Sequence, residues 1–240
     1  MEYGIQLYSV RDLTQENFEE AVRKVADLGY KFVETAGFFG RTAEQINALM
    51  KETGLRISGT HTGLGDLVKD YEGTVAFHKA IGNKNYIIPG HPLKSQEEID
   101  SFVAAVNELT PKLAAEGITL AFHNHSGEFI PNKDGSVAME QILYRTDLKL
   151  EVDTFWAFVG MKNPILFLER AKDRLIFVHM KDGSAEGHGT PLGMGEAPVA
   201  AVYEWVKAHN IPMVVESETC KPDGITEAKI CIDYLRSLEK

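Results

Sequence analysis

Cysteine is scarce in this chain, and long apolar runs are missing. The two cysteines, Cys220 and Cys231, lack the spacing of a CxxC motif. This content excludes a disulfide scaffold. No segment approaches the about 20 apolar residues of a membrane-spanning helix, and the N-terminal "MEYGIQLYSV" lacks the basic and apolar regions of a secretion signal. The sequence therefore predicts a cytoplasmic protein with no membrane partner.

Basic residues are also in the minority. The chain has 25 Lys and Arg against 35 Asp and Glu, which gives a formal net charge of -10. Such a surface repels phosphate backbones, so nucleic acid is not expected as a partner, whereas a small neutral or anionic substrate stays compatible. The 44% hydrophobic and 25% charged residues are typical of a globular protein. A length of 240 residues fits one barrel domain over residues 1–240.

Short β-rich runs alternate with helical patterns along the whole chain. Eight runs have the composition of strands: "GIQLY", "FVET", "RISGTH", "YIIPG", "ITLAFH", "LKLEVD", "LIFVHM" and "PMVVES". Apolar residues at helical spacing follow them, as in the segment from Phe18 to Leu28 before the stop at Gly29. Eight strands and eight helical regions in a chain of about this length predict an α/β fold, a single (β/α)8 TIM barrel. A doubly wound sheet is the alternative.

Polar and titratable residues collect where the predicted strands end. Along the chain these are Glu34, His61, His91, His123, His125, Asp153, His179, Lys181, Glu216 and Glu218. In a TIM barrel the carboxyl ends of all strands meet at one face, where active sites form. A single buried histidine or carboxylate is usually a satisfied structural group, but several that converge need a shared cation to offset desolvation. The donors in "EVDTFW", "FVHMKD" and "VVESE" suit one divalent metal ion (Mn²⁺, Mg²⁺, Co²⁺ or Zn²⁺), with a fourth ligand expected from "FHNHSGEF".

The order of these motifs resembles the sugar phosphate isomerase/epimerase family of xylose isomerase-like TIM barrels. The resemblance rests on "HNHSGEF", "LEVDTFWA", "FVHMKD" and "VVESE" and covers almost the full chain. It implies one divalent metal ion held by Glu, Asp, His and Glu from the later strands. Asp153, His179 and Glu216 match three of these ligands. The remaining ligand is assigned to Glu128, with His123 as the alternative because many relatives carry the glutamate directly at the end of the fifth strand.

The resemblance also implies the chemistry. In the related epimerases the two metal-binding glutamates remove and return a proton beside a sugar carbonyl, which gives Glu128 and Glu216 the roles of base and acid. A metal ion stabilises the enediolate formed in such a step. The predicted substrate is a small carbohydrate, and a homo-oligomer is compatible with relatives that commonly pair. The candidates for substrate binding are His61, His123, His125, Trp156 and Lys181.

Other reactions and classes stay open. Loss of a β-hydroxyl or glycosidic oxygen from the same intermediate would make a dehydratase, or an eliminating lyase on a keto-sugar or 3-keto-glycoside. An abasic-site endonuclease uses the same barrel, but the acidic balance and the lack of basic loops argue against it. A non-catalytic carbohydrate-binding barrel is the remaining class. The glycine-rich "GSAEGHGTPLGMGE" follows the seventh strand, where barrels often bind phosphate; it lacks a known phosphate motif and is interpreted as a mobile lid.

Overall fold

The computed structural model describes residues 1–161 and 163–239, in which eight strands form a closed parallel barrel and the short segments Asp182–Gly183 and Gly189–Thr190 form a separate antiparallel pair. The eight strands, β1 to β8, are Tyr3–Gln6, Phe32–Thr35, Arg56–His61, Asn85–Ile88, Thr119–His123, Lys149–Asp153, Leu175–Met180 and Met213–Val215. Each strand pairs with the next along the chain, and β8 also pairs with β1, which closes the ring. This confirms the prediction of a (β/α)8 TIM barrel.

Of the described helices that flank the barrel, five begin after a residue whose side chain caps the first turn. The helices α1 to α11 are Arg11–Glu16, Phe18–Leu28, Ala43–Thr53, Leu64–Lys69, Tyr71–Ala80, Gln96–Ala115, Ala138–Arg145, Thr154–Met161, Pro164–Ala171, Val199–Ala208 and Gly224–Ser237. Thr42 and Gln45 form a reciprocal capping box at the start of α3, which ends at Gly54 in the left-handed region. The predicted third helical region is divided into α4 and α5, because the Asp70 carboxylate accepts the Gly73 N–H and starts a new helix. None of the helices in the described part of the chain has the length and apolar character to cross a membrane.

The barrel interior changes from apolar to polar along the strands. A buried apolar cluster comprises Phe32, Ile87, Ala121, Phe177 and Val214. Two residues further along four of these strands lie the buried side chains Glu34, His123, His179 and Glu216. Residues two apart share a face of a strand, so these polar groups also point into the barrel. They therefore lie toward the carboxyl ends of the strands, the face on which TIM barrels carry active sites.

His78 on α5 is a buried histidine that faces polar neighbours other than carboxylates. Its Nδ1 lies 3.0 Å from the Asn83 Nδ2 and 3.4 Å from the Thr60 Oγ1. Burial lowers the pKa of His78 from its usual 6.5 to about 4, although the Asp66 charge partly opposes this shift. The unfolded chain binds the proton at a higher pH than the folded chain does. Stability contributed by neutral His78 is therefore lost as the pH falls from about 6.5 toward 4.

We expect the free energy of unfolding between pH 7 and pH 5 to fall by about 2 kcal/mol more in the wild type than in His78→Gln. Glutamine keeps a side-chain oxygen that can accept from Asn83, but it does not titrate. Urea unfolding of both proteins at the two pH values measures the difference. The same pH dependence in both proteins would contradict this prediction.

Candidate active site

Four buried side chains converge at the carboxyl ends of β5 to β8. His123, Asp153, His179 and Glu216, here called the ligand cluster, each offer one ligand atom, and these atoms lie within 4.8 Å of one another. Three of them carry a buried atom with no hydrogen-bond partner among residues 1–161 and 163–239: His123 Nδ1, Asp153 Oδ2 and His179 Nδ1. Buried polar atoms are nearly always hydrogen-bonded, so this arrangement fits a bound cation. Two imidazoles and two carboxylates suit a divalent ion.

Glu34, His61 and Glu151, here called the supporting layer, contact the ligand cluster from inside the barrel. Glu151 Oε2 lies 3.1 Å from His179 Nε2, 3.3 Å from His123 Nδ1 and 2.7 Å from His61 Nε2. Glu34 Oε1 lies 3.1 Å from His179 Nε2 and 2.9 Å from His61 Nε2. The group of His61, His123, Glu151 and His179 also has the spacing of a metal site. Because His61 Nε2 and His179 Nε2 already face carboxylates at 2.7 to 3.1 Å, this group better fits the role of orienting the ligand histidines.

Glu128 lies outside the ligand cluster. It belongs to a 3-10 turn, Gly127–Phe129, and its Oε2 accepts a hydrogen bond of 2.9 Å from the backbone N–H of His125. The carboxylate is thus bonded to its own loop, and it lines a different cavity together with His91. Of the two residues that the sequence offers as the first ligand, the geometry favours His123. The hydrogen bond from the His125 N–H indicates that Glu128 instead stabilises the loop that carries His125.

The ligand cluster opens into a cavity of about 380 Å³. Its lining consists of Tyr8, Ala36, His61, Pro89, His123, His125, Glu216 and Glu218. Three of the predicted substrate-binding residues, His61, His123 and His125, are in this lining. A larger cavity of about 740 Å³ lies at the opposite end of the barrel, where Arg56 begins β3 and Pro212 precedes β8. TIM barrel active sites form at the carboxyl-end face, so the smaller cavity is the candidate site.

Lys181 and Trp156, the other two predicted substrate-binding residues, contact the ligand cluster. Lys181 Nζ lies 2.5 Å from Glu218 Oε2, 3.2 Å from Glu216 Oε2 and 3.9 Å from Asp153 Oδ2. It also lies 4.7 Å from the centroid of the Trp156 ring. The backbone N–H of Trp156 donates to Asp153 Oδ1 at 2.9 Å. The geometry thus brings both residues to the carboxylates, and Lys181 offsets part of their charge.

The sequence of this chain is similar to a known protein family. The profile of xylose isomerase-like TIM barrels matches residues 22–238. The chain belongs to this family. It is 24% identical over 200 residues to an inosose dehydratase of Clostridium botulinum (strain Eklund 17B / Type B), and the match covers 71% of the chain. The chain spans 65% of the length of that relative.

Two solved structures share the xylose isomerase-like barrel. A sugar phosphate isomerase/epimerase from Parabacteroides distasonis ATCC 8503 has a TM-score of 0.83 at 23% identity, and the match covers 97% of this chain and 96% of that chain. An L-ribulose 3-epimerase has a TM-score of 0.77 at 16% identity, with 100% and 96% covered. At these identities the likeness shows the fold. Together with the family profile, it confirms the resemblance carried by the strand-end motifs.

Buried charges shift the pKa values of the supporting layer of this xylose isomerase-like barrel and of His179 in the ligand cluster. Burial would lower the pKa of His61, but the Glu34 and Glu151 carboxylates outweigh it and raise the pKa to about 10. Burial would also lower the pKa of His179, but the Glu151 and Glu34 carboxylates raise it well above its usual value. Burial and the Glu151 charge raise the pKa of Glu34. Glu151 is also buried, but the histidines around it, His179 first, lower its pKa, so Glu151 is the ionised partner.

The pKa shifts of the other members of the ligand cluster differ from residue to residue. Burial lowers the pKa of His123 to about 3, which leaves its imidazole neutral and able to ligate at neutral pH. Burial raises the pKa of Asp153 to about 7, although the Lys181 charge opposes it. Burial acts in the same direction on Glu216, but the charges of Lys181 and His179 lower its pKa well below the usual value. A divalent cation among these groups would favour the ionised form of Asp153.

Glu151 is missing from the residues predicted from the sequence. It lies on β6 two residues before Asp153, so both side chains point into the barrel. A fully buried carboxylate in a parallel strand needs partners, and this requirement is the signal in "EVD" that identifies it. Glu218 is among the predicted strand-end residues without an assigned role. In the structure it lines the cavity and pairs with Lys181.

Proposed function

We propose that this chain is a divalent-metal-dependent isomerase or epimerase that acts on a sugar or keto-sugar by removing a proton next to a carbonyl. The supporting observation is the ligand cluster with its unpartnered buried atoms, beside a cavity of about 380 Å³. A bound Mn²⁺, Mg²⁺, Co²⁺ or Zn²⁺ would polarise the carbonyl and stabilise the charge of the enediolate. The names of two similar proteins, an L-ribulose 3-epimerase and an inosose dehydratase, agree with chemistry on sugars and related polyols.

Proton transfer in this proposal belongs to Glu216 and His125. Glu216 lines the cavity, and its lowered pKa keeps the carboxylate ionised and able to accept a proton. His125 reaches the same cavity from the loop after β5, three strands away from β8 in the ring. It can therefore serve another face of the substrate than Glu216 does. Glu128 supports this arrangement indirectly, through its hydrogen bond from the His125 N–H.

A dehydratase or eliminating lyase acting on a keto-sugar or 3-keto-glycoside is the second candidate. His123 stands where the resembling epimerases carry a glutamate, so the ligand cluster contains one glutamate instead of two. Elimination needs one base and one acid that protonates the leaving oxygen, and His125 is placed to be that acid. The similarity to an inosose dehydratase supports the same candidate.

Deuterium exchange tests the first step that both candidates share. The metal-loaded chain is incubated in D2O with L-ribulose, D-fructose and scyllo-inosose, and mass spectrometry detects the gain of one deuterium. We expect His125→Gln to slow exchange by about 100-fold while its metal content stays unchanged, because general acid–base groups contribute factors of this size. His188→Gln is the matched control, since this exposed histidine is outside the cavity lining.

The products separate the two candidates. An epimer or isomer supports the first candidate, and a product that has lost water supports the second. A chain that holds one metal ion, yet gives neither exchange nor product with any of these ketones, contradicts the proposed function.

A further inference from the structure

The loop after β7 is closed around one buried carboxylate. TIM barrels often bind phosphate here, with backbone N–H groups and a helix N-terminus. In this chain Asp182, which is 2% exposed, accepts the backbone hydrogen bonds of Gly183 (2.8 Å), Gly193 (2.9 Å), Gly195 (3.0 Å) and Ala197 (3.2 Å). A carboxylate of the chain thus takes four backbone donors of the loop at which TIM barrels often bind phosphate. The same bonds tie together the segment that the sequence suggests is a mobile lid.

The loop after β8 is closed in a similar way. Glu227 on α11 is fully buried, and it accepts hydrogen bonds from Ser217 Oγ (2.8 Å), Thr219 Oγ1 (2.5 Å) and the Cys220 N–H (2.5 Å). Asp12 Oδ2 accepts the N–H of Gly224, the first residue of α11, at 3.0 Å. Four donors in and just after the loop that follows β8, the second usual phosphate position, are therefore also bonded to carboxylates of the chain.

The positive side chains near the cavity are engaged as well. No lysine or arginine is among the described residues that line it. Lys181 contacts Glu216 and Glu218, while Arg11 donates to the backbone carbonyls of Glu218 (2.5 Å) and Tyr8 (3.2 Å). The carboxylates of Glu216 and Glu218 in the lining accept hydrogen bonds, and they already pair with Lys181, which is therefore not free to bind an anion. Hydroxyl groups, which donate hydrogen bonds without carrying charge, match this lining.

We infer that the substrate is an uncharged polyhydroxylated ketone that carries neither a phosphate ester nor a carboxylate. The ketone rests on the proposed function, whereas the absence of charge rests on the two closed loops and the engaged cations. The structurally similar protein from Parabacteroides distasonis is named a sugar phosphate isomerase/epimerase, so the inference departs from that name.

Matched ligands that differ in one charged group test the inference. Binding of D-fructose, D-fructose 6-phosphate and D-fructuronate to the metal-loaded wild-type chain is measured by calorimetric titration. We expect each charged ligand to bind at least about 10-fold more weakly than fructose, because its added charge would lose water without gaining a free lysine, arginine or loop N–H as a partner.

The relative affinities of the three ligands decide whether the substrate is uncharged. Equal or tighter binding of the phosphate ester or the uronate overturns it, and so does binding of none of the three ligands. Preferential binding of fructose with no deuterium exchange refutes the proposed function and leaves the uncharged ligand in place.

A charge-removing variant tests the part played by Asp182. Asp182→Asn keeps an acceptor oxygen but removes the negative charge. We expect this variant to lower the ratio of the affinities for fructose and fructose 6-phosphate by about 3-fold. Glu196→Gln is the matched control from the same segment, where its carboxylate accepts the Ala185 N–H at 2.9 Å, and it should leave the preference unchanged. An unchanged preference in folded Asp182→Asn overturns the role of Asp182. If that variant does not fold, the wild-type titrations still decide the inference.

Discussion

Replacement of His123 by alanine should abolish tight metal binding, whereas replacement of Glu128 by alanine should leave one metal ion per chain. His123 belongs to the ligand cluster, while Glu128 accepts a backbone hydrogen bond within its own loop. Loss of a group that only orients a ligand costs about 10- to 100-fold in metal affinity, so loss of the ligand itself should cost more than about 100-fold. Elemental analysis after dialysis, followed by competition with a chelating dye, measures both variants.

The same experiment can reverse the assignment on β5. Retention of metal by His123→Ala together with its loss from Glu128→Ala would restore the glutamate as the ligand. A wild-type chain that takes up no Mn²⁺, Co²⁺ or Zn²⁺ would refute the metal site altogether. Urea unfolding of each variant shows whether a loss of metal comes merely from a loss of fold.

Replacement of Glu151 by glutamine should lower metal affinity by about 10- to 100-fold, although Glu151 is not in the ligand cluster. Its carboxylate faces a nitrogen atom of each of three histidines, His61, His123 and His179, at 2.7 to 3.3 Å. A glutamine of the same size has one acceptor oxygen in place of two, and it lacks the negative charge. The histidine rings should therefore lose part of their fixed orientation. Dye competition with Co²⁺, together with the absorption spectrum of the bound ion, measures this change without reference to activity.

Glu140→Gln is the control for this prediction. Glu140 is an exposed carboxylate on α7 that pairs with Arg170, so its loss should leave metal affinity and the Co²⁺ spectrum unchanged. If Glu151→Gln loses stability but binds Co²⁺ with wild-type affinity and spectrum, Glu151 has a structural role and does not orient the ligands.

The fold and three of the proposed metal ligands follow from local sequence patterns. The run "LIFVHM" is apolar because a parallel barrel strand is covered on both faces, and it coincides with β7, Leu175–Met180. Asp153, His179 and Glu216 each come at or just after the carboxyl end of such a strand. A closed parallel barrel brings those ends together, so the convergence of the three residues needs no information on side-chain contacts.

The remaining parts of the site depend on contacts that the sequence does not display. Glu128 and His123 are five residues apart in one motif, and a single hydrogen bond to the His125 N–H decides which of them is turned away. The burial of Glu151 can be read from its strand, but its contacts with three histidines of other strands are not visible in the run "LKLEVD". The glycines after β7 resemble a flexible segment until Asp182, 11 to 15 residues from three of its donors, is seen to bind them.

The hydrogen bonds of the two closed loops also imply that the loops at the mouth of the barrel differ in their tolerance of substitutions. One substitution at Asp182 or Glu227 would leave several hydrogen-bond donors without an acceptor at once. Substitutions at these carboxylates are therefore expected to lower the free energy of unfolding. The loops after β1 and β2 present Tyr8 and Phe39, which are 43% and 45% exposed, and Tyr8 lines the cavity. Evolution or a mutant library that seeks new substrates on this barrel would therefore find its workable variants in those first two loops.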